Sequence, residues 1–135
     1  MVKYQYFIGG AFMNIKLLCR INGVWVALNG LSAFIIPDMW FNMAGLTAGP
    51  AAYLAVQGFG VSAIALGLIS WRTVDIAGDA INSYGQLLGI VWILFGLLSI
   101  YHMTAGLFTG PPAIFNLVVS LIFAAAFFYY SKKTE

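Results

Sequence analysis

His102 is the one histidine in 135 residues. An imidazole can ligate haem iron or chlorophyll magnesium, or change charge near neutral pH. A six-coordinate haem inside a helix bundle needs a second axial ligand, and Met39, Met43 and Met103 are weak candidates for it. The blander reading is an interfacial histidine bonded to a loop, because no partner constellation accompanies it. Asp75 and Asp79 stand four residues apart. Paired carboxylates can hold a cation or act as acid and base. No further carboxylate or histidine lies near them, and Asp79 equally suits the cap of a helix beginning at Ala80. The residues therefore assign no catalytic group and no metal site. Asn22 and Asn29 are seven apart and share a helix face, with Trp25 and Ser32 on or beside it; Gln57 and Asn116 add further amides. Surrounded by lipid, such groups must find partners on neighbouring helices. They either line a small polar cavity or act as glue between helices, and the second is the preferred reading.

The elements that carry these residues are apolar. The chain is 62% hydrophobic and 7% charged, against roughly 25% charged in a soluble domain. Pro50 to Trp71 contains no charged residue. As a helix it would be ~33 Å long, enough to cross a hydrocarbon core of ~30 Å. Proline opens it, where a missing N–H costs nothing, and Trp71 and Arg72 close it as membrane-edge residues do. The same reading gives spans at about 17–36, 50–71, 83–102 and 113–130. The expected fold is an all-α membrane protein, a four-transmembrane-helix bundle forming one domain over 1–135. Residues 1–12 read as an aromatic tail lying at the interface or on another subunit, with Met13 as an alternative start. Residues 38–49 read as a short interfacial segment, and 72–82 as the most polar interior loop. The tail is no convincing signal peptide.

Four spans put both termini on one side, and all six basic residues fall there: Lys3, Lys16, Arg20, Arg72, Lys132 and Lys133. Positive charge marks the cytoplasmic side, so both termini are expected in the cytoplasm of a bacterial or archaeal cell. A dual-topology protein would show little such bias. A net charge of +2 is too small to suggest nucleic acid. A single cysteine, Cys19, excludes an internal disulfide. No Asp, Glu, Lys or Arg lies mid-span, which argues against proton-coupled carriers and pumps. Small residues at spacing four, Gly23/Ala27, Ala63/Gly67 and Gly85/Gly89, suit close helix contact. Ala44 to Ala51 (AGLTAGPA) resembles Ala105 to Pro112 (AGLFTGPP). Two similar helical hairpins in parallel orientation would explain that, and so would common turn chemistry.

Gly30 to Asp38 (GLSAFIIPD), Gly58 to Arg72 (GFGVSAIALGLISWR) and the four-span plan together resemble the DoxX-like group of small four-helix membrane proteins. That resemblance implies a small subunit of a membrane oxidoreductase as one role, and it carries over no catalytic residue. The sequence reading is thus an accessory subunit of a larger inner-membrane complex. The alternatives are a channel or carrier for a neutral solute, lined by Asn22, Asn29, Gln57 and Asn116, and a haem- or pigment-binding protein using His102. Lipid is the expected companion in every case. Trp92 and Phe95, three apart on one face, are expected to pack, together with the tail Tyr4 to Phe12, against another protein chain or bound lipid or pigment. The orientation is directly testable: cysteines placed at Lys3 and Lys132 should resist impermeant thiol reagents in intact cells, and labelling of either from outside would invert the topology.

Overall fold

The computed structural model describes residues 13–132, and every regular element among them is helical. Helix α1 (Ile15–Ile35) starts at Asn14, whose Oδ1 accepts from the Leu17 N–H at 2.9 Å. That capping bond serves one of the donors a helix start leaves unpaired. Pro37 ends α1: the residue before a proline is pushed out of the helical region, and Ile36 sits at φ −126°. A short helix α2 (Pro37–Ala44) follows and closes on Gly45 at φ 67°. Helix α3 spans Pro50–Ile76. After a single 3-10 turn at Gly78–Ala80 come α4 (Ile81–Thr104) and α5 (Pro111–Ser131). Both α3 and α5 open on proline, which has the backbone angle of a first turn already in place.

Four of these helices are long and apolar enough to cross a membrane, so the chain is an all-α membrane bundle. They overrun the expected spans, most of all at the end of α3, which continues from Trp71 to Ile76. The segment expected at the interface is α2. Its indole and ring contacts tie it to the neighbouring helix ends: Trp40 Nε1 donates to Ser32 Oγ at 3.1 Å, Phe41 packs on Tyr53 at 5.1 Å, and the Tyr53 hydroxyl bonds Asp38. The tail 1–12, with Lys3 and Tyr4 to Phe12, and Lys133 lie outside the described residues.

Helices pair as consecutive antiparallel hairpins, α1 with α3 and α4 with α5. In the first hairpin the backbones touch. A Cβ built on Gly30 would stand 2.6 Å from the Gly60 carbonyl oxygen, and one on Gly60 would stand 2.7 Å from that of Gly30. One heptad away Gly23 and Gly67 repeat the arrangement, at 2.8 and 2.6 Å. Small residues seven positions apart fall on the same face of each helix and keep one seam in contact. In the second hairpin the glycines meet side chains instead. A Cβ on Gly89 would meet the Phe128 ring at 2.9 Å, and one on Gly96 would find ordinary contact with Ser120 at 3.7 Å.

Helix α1 is central, touching α3 on one side and α4 and α5 on the other, while α3 packs along α1 and, at its Pro50 end, α2. The buried cluster of Leu18, Cys19, Ile81, Trp92, Ala124 and Phe127 fills the seam between hairpins. Contacts of Arg20 with Asp75, and the meeting of Ile15, Gly85 and Ser131, bring the start of α1, the end of α3, the start of α4 and the end of α5 to one end of the bundle. Lys16, Arg20, Arg72 and Lys132 therefore share that end. The two AGL turns are alike: Gly106 sits at φ 68° beside 67° at Gly45, and each following leucine N–H bonds the carbonyl five residues back. They differ upstream, where α4 runs unbroken and the first hairpin is interrupted at Pro37.

The pairing makes different glycines unequal. Gly30→Ala or Gly60→Ala would press a methyl into rigid backbone, and overpacking costs about 1–3 kcal/mol. Gly89→Ala meets a ring that can rotate, and the gain in helix propensity of up to ~1 kcal/mol offsets the contact. Thermal unfolding in detergent should therefore rank Gly30→Ala and Gly60→Ala well below Gly89→Ala and the exposed control Leu98→Ala; equal midpoints would rule out the backbone contact.

Candidate functional site

Where the hairpins meet, a polar cluster ties three helices together. Asn22 on α1 donates through Nδ2 to Ser70 Oγ on α3 at 3.0 Å. Ser70 in turn donates to the Cys19 carbonyl at 2.9 Å. Trp92 on α4 donates its indole N–H to Asn22 Oδ1 at 2.8 Å. Asn22, Ser70 and Trp92 are all buried. A buried polar group without a partner is costly in a medium that offers no water, and here the amide uses both its oxygen and its nitrogen. Glycine and alanine along α1–α3 make this geometry available, because Asn22 reaches Ser70 only across helices in near-contact.

Around the polar link runs a ladder of rings. Trp92 stacks on Phe123 with centroids 4.6 Å apart and planes 10° apart. Phe123 continues to Phe127 at 6.3 Å and to Trp25 at 6.5 Å, and Trp25 reaches Phe115 at 6.4 Å. Offset and tilted ring pairs contribute ~0.5–1.5 kcal/mol beyond the area they bury. The expectation that Trp92 faces a partner with Phe95 is corrected here. Trp92 is 9% exposed and belongs to the core, because its N–H is claimed by Asn22 and its face by Phe123. Phe95 is 40% exposed, and its ring lies tilted beside that of Trp92 at 5.8 Å between centroids. The two residues are near neighbours, yet one turns in and one turns out.

The other amides do not join Asn22. Asn29 donates to the Trp25 carbonyl of its own helix at 2.8 Å. Gln57 reaches the Phe34 carbonyl at 3.5 Å, and the Asn116 side chain lies exposed on α5. Shallow grooves run along the surface of the described residues. One of about 260 Å³ is lined by Trp25, Phe115, Val119, Ile122 and Phe123. A wider one of about 620 Å³ lies along Ile35, Ile36, Asp38, Met39, Asn42 and Met43. None of the four amides lines either groove. His102 is half-buried near the end of α4, its ring 5.9 Å from that of Tyr101, and its carbonyl accepts from Leu107 at 2.9 Å. Among the described residues no group of three or more His, Cys, Asp or Glu side chains converges.

At the basic end Asp75 is matched with arginines rather than with Asp79. Its Oδ1 lies 3.3 Å from Arg20 and its Oδ2 3.1 Å from Arg72. Arg20 also lies over the Trp71 indole, 5.4 Å from the ring centre. Asp79 sits in the 3-10 turn, and no side chain caps α4. Buried Asn82 Oδ1 and Ser131 Oγ, at this same end, have no hydrogen-bond partner among the described residues.

Compared with protein families, curated proteins and solved structures, the chain matches none.

Sequence reading missed two features that it had the means to find. Gly30 and Gly60 complete Gly-x6-Gly on α1 and on α3, a seven-residue spacing passed over in favour of spacing four. Ser70 is an intramembrane hydroxyl that Asn22 needed as a partner. Asn22→Ala and Trp92→Phe should each lower stability, by roughly 0.6–2 kcal/mol for an interhelical bond in a membrane. Because they remove the same bond, the double variant should lose less than the two losses added; strict additivity in reversible micellar unfolding would show that the bond contributes nothing.

Proposed function

We propose that this chain is a small accessory or structural subunit of a larger complex in the cytoplasmic membrane of a prokaryote, with both termini in the cytoplasm. One observation carries the reading. The amides that might have served a solute are bonded within the bundle or turned out of it, while α3 is fastened along one side and presents its other faces outward. Such a helix has a free flank to offer a neighbouring subunit. Phe95, exposed beside the core tryptophan, offers a second point of attachment on α4. The resemblance of Gly30 to Asp38 and Gly58 to Arg72 to the DoxX-like group supports the same role.

The test is isolation of the tagged chain from its native membrane in mild detergent. Large subunits should travel with it through native electrophoresis and gel filtration, and Phe95→Leu should loosen them while costing the bundle no more than its one ring contact with Trp92. Trp92→Leu is unsuited to this purpose because it also breaks the core. Migration as a free bundle at native expression, with no companion subunit, would overturn the proposal.

A further inference from the structure

The basic end of the α1–α3 hairpin holds a charge cluster with more donors than its link between the two helices uses. Arg20 and Arg72 converge on one carboxylate, each through a single nitrogen, Nη2 to Oδ1 at 3.3 Å and Nη1 to Oδ2 at 3.1 Å. A guanidinium carries five N–H donors, so most of both forks remain unspent. Their side chains are 44% and 65% exposed. Two cations against one anion leave the cluster with one positive charge, and Lys16, one turn before Arg20 and exposed, adds to it. Asp75 holds the guanidinia near each other, a placement that their mutual repulsion would otherwise oppose. The indole of Trp71 lies under Arg20 and fixes it further.

Depth selects the ligand. Arg20 lies five residues inside the start of α1, and Arg72 four residues inside the end of α3. These positions are ~6–8 Å along the axis from the helix ends. Tryptophan and snorkelling arginine are at home at that level, beside the phosphates of the lipid headgroups. A planar guanidinium matches phosphate oxygens in a bidentate manner that an ammonium cannot.

We propose that Arg20 and Arg72, held together by Asp75 over Trp71, form a binding site for the phosphodiester headgroup of an anionic phospholipid. A zwitterionic lipid offers the same phosphate but brings its own cation, which the cluster's net charge repels. The site stands whether or not the chain has a protein partner.

The experiment uses the purified full chain in neutral detergent, with phosphatidylglycerol, phosphatidylcholine or inorganic phosphate added, read by native mass spectrometry and by thermal midpoint. Phosphatidylglycerol should be retained and should raise the midpoint, while phosphatidylcholine and inorganic phosphate should not. Arg20→Gln with Arg72→Gln should weaken phosphatidylglycerol binding about thirtyfold, at about fivefold for each basic residue near a headgroup. Lys132→Gln, a cation at the same end but outside the cluster, should change it little. Equal retention of the two lipids, an unaltered affinity in the double variant, or an equal shift from inorganic phosphate would each overturn the proposal.

Discussion

Lipid tails are as apolar as leucine, so helices within a bilayer gain little from hiding apolar side chains in each other. Association has to come from contact at short range, through dispersion and through hydrogen bonds. The α1–α3 seam meets that demand in its most compact form: glycine faces backbone at both Gly30–Gly60 and Gly23–Gly67. Everything at the centre of the protein depends on this proximity. It brings Ser70 within reach of both Asn22 and the Cys19 carbonyl, and it lets an arginine on α1 and one on α3 share Asp75. Helices separated by ordinary side chains would leave the short Ser70 side chain out of reach of Asn22 and of the Cys19 carbonyl.

The second hairpin is built with looser tolerances. Its glycines admit the ends of side chains, the Phe128 ring at Gly89 and Ser131 with Ile15 at Gly85. What fastens it to the first hairpin is accordingly different in kind. One indole hydrogen bond and a run of rings from Trp92 to Trp25 cross the seam. Dispersion between stacked rings tolerates small displacements, whereas the Trp92–Asn22 bond fixes the rotation of α4 about its axis. The combination sets orientation with one group and cohesion with several.

Much of this architecture can be read from the residues alone, because hydropathy over twenty positions reports directly on the bilayer's thickness. The four spans, the break at Pro37 and the gathering of basic residues at one end all follow from local chemistry. What escaped was pairwise. Trp92 and Phe95 lie three apart and look equivalent on a helical wheel, yet which of them turns inward depends on an asparagine seventy positions away. Asp75 and Asp79 look like a pair because they share a loop, while the partners of Asp75 lie on two helices brought together by glycines elsewhere. Sequence spacing shows which side chains share a face; it does not show what that face will meet.

The Asn22 link also bears on the order in which the chain assembles. Only the short helix α2 and its turns separate α1 from α3, so the first hairpin can close before α4 has been inserted. At that stage the Asn22 amide nitrogen has Ser70, but its oxygen still waits in hydrocarbon for a donor. Arrival of Trp92 resolves this deficit, and only one rotational setting of α4 presents the indole N–H to it. The acceptor that the first hairpin leaves unmet thus sets how α4 is turned against it, and the same three side chains that join the helices also orient the second hairpin on the first.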